Sequence, residues 1–421
     1  MGVRDMMIDA ARTLDPSLGL VSDARVYVPN EVGLWRTVAH LANDRGTAEH
    51  SSGFSSAVGA FDANRRRSLT RGAGEAVERF ALVPVPPDSG HLLVTTPCEE
   101  KRIDFVSAGL GHASALGSEI PWYRAMDLVS GNESHIPAPV VDYSPRGIPQ
   151  EAPVARYFDP SPNGAAAGPS ERFAKITAIA EIIERDAFLW AWRHRTPLKK
   201  FTMKDIPVSL RSDPSTLRFT RLLRTALDAG IHATLAFVPN DDGPLETAVG
   251  VILDDTENGQ FGAVGLKASA DPISALRGAL QEALQIRELL LARSPSSGTG
   301  DSGVTNDEAR ADFWTTGPAI GELRGWVQSF SKSPLPRAHP KPDVDDLVRY
   351  LDRKGITSHW VSLTHRLPPA IQALGWQAGK AICPGAFPLT MDESKRLCFV
   401  PSSPDGPSSR TAFASTPHPL I

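Results

Sequence analysis

The sequence predicts a mixed α/β fold with internally repeated helix motifs. Three observations carry that expectation. Helical and strand-like patterns alternate along the 421 residues. Apolar residues make up 41% and charged residues 22%, which suits a globular chain long enough for two or three structural units. The pattern Glu-x-x-Glu-Arg occurs on two helices, each behind a lead-in rich in Gly, Ser and Ala.

Residues 1–45 read as an N-terminal extension: a short helix near 6–14, an extended piece near 24–32, then a helix over 34–44. The main domain runs over 46–421. Its small-residue lead-in ends in the first charged helix. There Leu69, Ala73, Ala76, Val77 and Phe80 form an apolar stripe, and Glu75, Glu78 and Arg79 lie opposite it. Residues 91–107 read as two strand-like stretches around a polar turn, and 135–141 as a further strand.

The second charged helix lies in the stretch 161–195. Pro162, Asn163 and Gly164 open a loop that Gly168 and Pro169 close, and Ser170 suits an N-cap. Ile176, Ile179, Ala180, Ile183, Ala187 and Trp190 recur at helical spacing, while Ile182, Phe188 and Leu189 make the other side apolar too. A helix apolar nearly all round is buried. Yet Glu181, Glu184 and Arg185 share one strip of it. Buried carboxylates need a cation, a proton or hydrogen-bond donors. On an exposed helix this pattern would be a solvated face; its recurrence on apolar helices marks a site.

Residues 217–229 read as a helix stopped by Gly230, and 231–239 and 247–254 as strands around a turn. A Gly-interrupted strand, 260–268, leads to a helix over 275–291. That helix places Glu282 and Gln285 one turn apart and Arg287 near its apolar stripe, where a long cation would want an anion. Residues 294–306 form a Ser/Gly-rich flexible insert. Its Gly-Asp-Ser-Gly lacks the surroundings of a serine-protease nucleophile and reads as linker. A helix over 343–354, a strand over 357–363 and the stretch 371–383 complete the unit. The Pro/Ser-rich tail from Pro401 reads by composition as disordered.

Composition narrows the classes. A net charge of −4 argues against a nucleic-acid binder. Three cysteines, Cys98, Cys383 and Cys398, lack metal-site spacing and suit a reducing cytoplasm. No signal peptide and no apolar run of membrane-spanning length is present. The scattered histidines form no zinc motif, and no Gly-x-x-x-x-Gly-Lys-Ser/Thr phosphate loop occurs.

Carboxylates one turn apart can share a hard cation, with phosphate oxygens among its other ligands. Three such helices converging could hold Mg²⁺ against a triphosphate. The arginines would counter the phosphate oxygens or the carboxylates themselves.

The three helices together resemble the YcaO family. The motifs are Ala-Gly-Glu-Ala-x-Glu-Arg at 73–79, Asn-Gly-x-Ala-Ala-Gly at 163–168, Glu-x-x-Glu-Arg-Asp-Ala at 181–187, and Asp271-Pro272 followed by Glu282-x-x-Gln285. The resemblance runs from about residue 45 to the C-terminus. It implies ATP and Mg²⁺ as cofactors. Glu75, Glu78, Glu181, Glu184 and Glu282 are the metal ligands it implies, and Arg79, Arg185, Gln285, Arg287 and Asn163 the nucleotide contacts. It further implies activation of a peptide backbone amide and closure of a thiazoline or oxazoline ring. Macroamidine or thioamide formation, and a non-catalytic peptide-binding role, stand as alternatives. The partners implied are a ribosomal precursor peptide and a separate ThiF-like protein that binds its leader; a homodimer stays open. Ring-forming relatives often end in Pro-x-Pro-x-Pro at the active site. Here the end is Pro417-His418-Pro419-Leu420-Ile421, without the third proline, and Pro417, Pro419 and Ile421 are the expected catalytic tail. Many relatives carry a Lys in the first glycine loop, where this chain has Ser52-Gly53-Phe54.

Overall fold

The computed structural model describes residues 8–42, 57–84, 92–93, 99–143, 154–240, 242–256, 259–293, 303–395, 397, 399 and 416–421. The loop residues Ser52, Gly53 and Phe54, the insert at 294–302, the tail at 400–415, and Cys98 and Cys398 lie outside them.

The first helix, α1 (Ala10–Thr13), is capped by Asp9, whose carboxylate accepts the Arg12 N–H at 3.0 Å. β1 (Val21–Tyr27) and β2 (Trp35–Leu41) follow as an antiparallel pair. The helix expected over 34–44 is therefore a strand. Thr37, Ala39 and Leu41 are buried and the residues between them half-buried, a period of two that a short apolar run does not announce. β3 (Ala57–Asp62) pairs with β2, so the N-terminal stretch is built into a sheet with the start of the main domain. α2 (Arg65–Leu82) begins at Asn64, which accepts the Arg67 N–H at 3.2 Å. It buries Ala73, Ala76, Val77 and Phe80.

Of the two strand-like stretches at 91–107, β4 (Leu92–Leu93) is described as strand, and 103–107 is loop and turn. β5 (Trp122–Asp127) and β6 (Glu133–Pro137) form a hairpin. The strand expected to reach residue 141 stops at Pro137. Pro139 has no N–H to give a ladder, and the chain turns into the short α3 (Ala138–Val141). β7 (Ala165–Gly168) leads into α4 (Glu171–Arg193), capped by Ser170. Next come β8 (Lys199–Lys200), α5 (Pro214–Asp228), β9 (Ala233–Phe237), β10 (Glu246–Thr256), β11 (Gly259–Ser269) and α6 (Pro272–Leu291). The last elements are α7 (Asp307–Phe313), α8 (Gly317–Gln328), β12 (Ser331–Lys332), α9 (Val344–Arg353), β13 (His359–Ser362), α10 (Pro369–Ala373) and β14 (Gln377–Ile382).

Among the described residues the strands form three sheets, ordered β1-β2-β3, β4-β5-β13-β14-β7 with β6 on β5, and β11-β10-β9-β8-β12. α2 packs on the first sheet and on β7 and β14; α4 packs on β7, β14 and β11; α6 packs on β10 and β11. The three charged helices thus meet where the sheets meet. Gly250 and Gly265 are cross-strand partners beneath α6. A Cβ at Gly250 would stand 2.8 Å from the Ala279 carbonyl, and one at Gly265 would overlap the backbone of Ala279 and Ala283. Their bare Cα atoms let α6 lie directly on the hairpin, which brings Glu282 against β11.

Lys380, on β14, ties this arrangement together. It is 1% exposed, and its Nζ donates to the carbonyls of Val140 (2.8 Å), Val141 (3.2 Å) and Ser161 (2.7 Å). Burial lowers its pKa to about 7. Lys380→Met keeps the volume but leaves three carbonyls without their donor. Urea unfolding should show a loss of about 2–4 kcal/mol; a loss below about 1 kcal/mol would mean those carbonyls find other donors.

Candidate active site

On α2, Arg79 sits between two carboxylates, its Nε 3.1 Å from Glu75 Oε1 and 3.8 Å from Glu78 Oε1. Burial pushes Glu78 well above the ordinary carboxylate range. The Glu75 charge adds to this, Arg79 opposes it, and Glu181 and Arg185 on α4 are felt more weakly. The charged strips of α2 and α4 therefore face each other.

On α4, Arg185 Nη1 lies 3.2 Å from Glu181 Oε1 and donates to Asn163 Oδ1 at 3.5 Å. Glu181 also accepts the Gly164 N–H at 3.4 Å. The Asn163-Gly164 turn needs its glycine: φ is +78°, and a Cβ would meet Ile182 Cδ1 at 2.9 Å. The loop before α4 and the charges on α4 thus form one unit. Glu184 is buried, accepts the Ala268 N–H and has Lys267 Nζ at 3.7 Å.

On α6, Glu282 accepts the Leu266 N–H at 2.7 Å. Burial and then the neighbouring Glu184 charge raise its pKa to about 7. Gln285 donates to the Gly59 carbonyl at 3.5 Å. Arg287 does not join the others. Its Nε is bound by Asp254 at 3.0 Å and its Nη1 by Glu31 at 3.0 Å. Five residues beyond Glu282, it stands about 140° round the helix, so the anion it wanted is supplied by a strand and the N-terminal segment.

Lys267 and the N–H groups of Leu266 and Ala268 were missed by the sequence reading. They lie on β11, with Ala268 84 residues from Glu184, and nothing local ties them to it. Parity along a strand puts 266 and 268 on one edge, but not which helix meets them.

Five carboxylates (Glu75, Glu78, Glu181, Glu184 and Glu282) meet three cations (Arg79, Arg185 and Lys267). Burial first, and a neighbouring carboxylate second, raise the pKa of both Glu78 and Glu282, so negative charge is costly here. A divalent cation would relieve it. Among the described residues, no three His, Cys, Asp or Glu side chains gather around one metal-sized point. Mg²⁺ is usually held by one or two carboxylates and completes its shell with phosphate oxygens and water. The donor set fits Mg²⁺ with a triphosphate.

Beside the cluster opens a pocket of about 40 Å³, lined by Asp159, Asn163, Lys380 and Thr390 among others. The C-terminal tail is docked near it. Pro419 is buried and Pro417 and Ile421 half-buried. Leu420 and Ile421 pack on a core that includes Val249, Val264 and Leu266. His418 lies within electrostatic reach of Arg185.

Residues 60–387 match the model of a family described as YcaO cyclodehydratases that bind ATP and Mg²⁺. The chain belongs to the YcaO family. It is 28% identical over 242 residues to an uncharacterised protein in the tfuA 3′ region of Rhizobium leguminosarum bv. trifolii, covering 54% of each chain. It is 27% identical over 253 residues to an uncharacterised protein of Methanothermobacter thermautotrophicus, covering 60% of each. The chain thus spans little more than half the length of these curated relatives. Its fold is similar to that of a heterocyclase solved in complex with substrate and cofactor (TM-score 0.69, 17% identity, 98% of this chain and 56% of that one). It is also similar to YcaO from Methanopyrus kandleri bound with AMPPCP and Mg²⁺ (TM-score 0.61, 16% identity, 89% and 88%). No helix among the described residues is long and apolar enough to cross a membrane.

The raised Glu282 pKa has a measurable sign. Between about 4.5 and 7 the native state holds this proton and the unfolded chain does not. The stability this group contributes is therefore lost as pH rises through that window. Glu282→Gln cannot ionise and keeps an acceptor for Leu266. With metal chelated, it should raise Tm more at pH 8 than at pH 5. An equal effect at both would show that Glu282 is not held protonated.

Proposed function

We propose that this chain is an ATP- and Mg²⁺-dependent enzyme that activates backbone amides of a ribosomally made precursor peptide and closes thiazoline or oxazoline rings. The observation that carries this reading is the meeting of five carboxylates from three separate helices around Arg79 and Arg185, where burial and neighbouring carboxylates make negative charge costly. Membership of the YcaO family supports it. When bound, Mg-ATP supplies a phosphoryl group that turns an amide oxygen into a leaving group.

The protein's part is to position and to neutralise. Glu75, Glu78, Glu181, Glu184 and Glu282 would hold Mg²⁺. Arg79, Arg185, Asn163 and Gln285 would face the nucleotide, and each guanidinium, already anchored by a carboxylate, is oriented before phosphate arrives. The half-buried setting excludes much of the water and strengthens these interactions. The attacking Cys, Ser or Thr side chain belongs to the peptide, so no Cys–His or Ser–His pair is required of the enzyme. Pro417, Pro419 and Ile421 would help place the reacting amide from the docked tail. A separate ThiF-like protein would present the leader, and the cytoplasm is the expected compartment.

Mg-ATP should raise Tm, because a ligand bound only by the native state stabilises it. Glu184→Gln should fold yet lose about 10–100-fold in ATP turnover, as a neutral amide is a poor Mg²⁺ ligand. Parent-like turnover would remove Glu184 from the metal site. Incubation with the peptide encoded beside the gene, followed by tandem mass spectrometry, decides the product. Loss of water located at a Cys, Ser or Thr supports the ring; exchange of oxygen for sulfur, or loss of water at an amine, moves the reading to a thioamide or a macroamidine. No change of the peptide with intact Mg-ATP binding would leave a peptide-binding role.

A further inference from the structure

Arg310, on α7, has no solvent exposure. Its Nη1 donates to Glu393 Oε1 and to the His418 carbonyl, both at 3.1 Å. Its Nη2 donates to the carbonyls of Thr390 (2.6 Å) and Met391 (3.2 Å). Trp314, one turn further on and equally buried, donates its Nε1–H to the same His418 carbonyl at 3.1 Å. His418 closes the arrangement. Its Nε2 lies 2.8 Å from the Thr390 carbonyl, and its Nδ1 accepts the Leu420 N–H at 3.3 Å. A carbonyl only accepts and an amide N–H only donates, so the ring is the neutral tautomer with its proton on Nε2. Burial, then the charge of Arg310, holds the imidazole in that neutral form.

A buried guanidinium is costly, and apolar side chains of similar volume would often be as stable. What apolar packing does not supply is direction. Arg310 directs four hydrogen bonds at two separate pieces of chain, the 390–393 loop and the tail. A planar fork can do this, whereas a lysine ammonium cannot. Within that loop, Thr390 lines the pocket that also contains Asn163 and Lys380, and Asn163 accepts from Arg185.

We infer that Arg310 is a positioning residue for the C-terminal tail. With Trp314 it fixes the register of 416–421 against the 390–393 loop, and it affects turnover only through the tail. The second half of this inference rests on the tail's part in the proposed reaction; the first half rests on geometry alone.

The test uses the full chain in four forms: parent, Arg310→Met, a deletion of 416–421, and the two combined. Release of Ile421 and Leu420 by carboxypeptidase Y, followed by intact-mass spectrometry, reports tail docking without any substrate. Arg310→Met should be trimmed roughly tenfold faster or more, the loss expected for a charged hydrogen bond, while Mg-ATP still raises its Tm. Trimming at the parental rate overturns the clamp. Should Arg310→Met fail to fold, Trp314→Phe removes one donor to His418 and should show a smaller rise in the same rate; no rise overturns the clamp equally. Ring formation then tests the second half. Arg310→Met should lower kcat as the deletion does, and should lower it no further in the deleted chain. An additional loss in the deleted chain shows that Arg310 acts other than through the tail. Full turnover by the deleted chain refutes the tail's part in the reaction and, with it, this half of the inference, while faster trimming would still uphold the clamp.

Discussion

Gathering like charges in a half-buried place is the constraint on which the rest of this structure depends. Glu75, Glu78, Glu181, Glu184 and Glu282 could not be brought together by their own attraction, since they repel. They are held because α2, α4 and α6 each bury an apolar face elsewhere and are forced to present their charged strips to one another. Hydrophobic packing supplies the energy, and the charge cluster is the strain it supports. Arg79 and Arg185 relieve part of that strain, each gripping a carboxylate on its own helix one turn away.

The scaffold serves this purpose in small details. The bare backbone at Gly250 and Gly265 seats α6 on the β10–β11 hairpin, and from there the N–H groups of β11 reach Glu184 and Glu282. Strand N–H groups cannot move or ionise, so they orient the carboxylates without cancelling their charge. The left-handed Gly164 does the same for the loop before α4, delivering both an N–H to Glu181 and an amide oxygen to Arg185. Lys380 closes the far side by pinning three carbonyls of two segments to β14.

The tail extends the same economy. Leu420 and Ile421 find the core, but the directed bonds from Arg310 and Trp314 to a single carbonyl set where they find it. A segment whose composition reads as disordered is thereby ordered at its very end.

Much of this was legible in the sequence by itself. Helical spacing located α2, α4 and α6, Ser170 marked the start of α4, and the clash between apolar stripes and Glu-x-x-Glu-Arg marked the site, because these signals are local and the spacing repeats with the helical turn. The strand at 35–41 was not legible, since its alternation of buried and half-buried residues exists only once β1 and β3 flank it. Nor was the end of β6 at Pro137, which a proline settled against an apolar run. Arg287 shows the limit most plainly. Its charge and its place near an apolar stripe called for an anion, and whether that anion was Glu282's cluster or Asp254 and Glu31 depended on which face of α6 met which neighbour. Residue type and spacing determine what chemistry a helix face can offer. The pairing of β11 with α4, and of Arg310 with the tail, joins residues 84 and 108 positions apart. Only the packing of whole elements decides such contacts, because no local periodicity carries them.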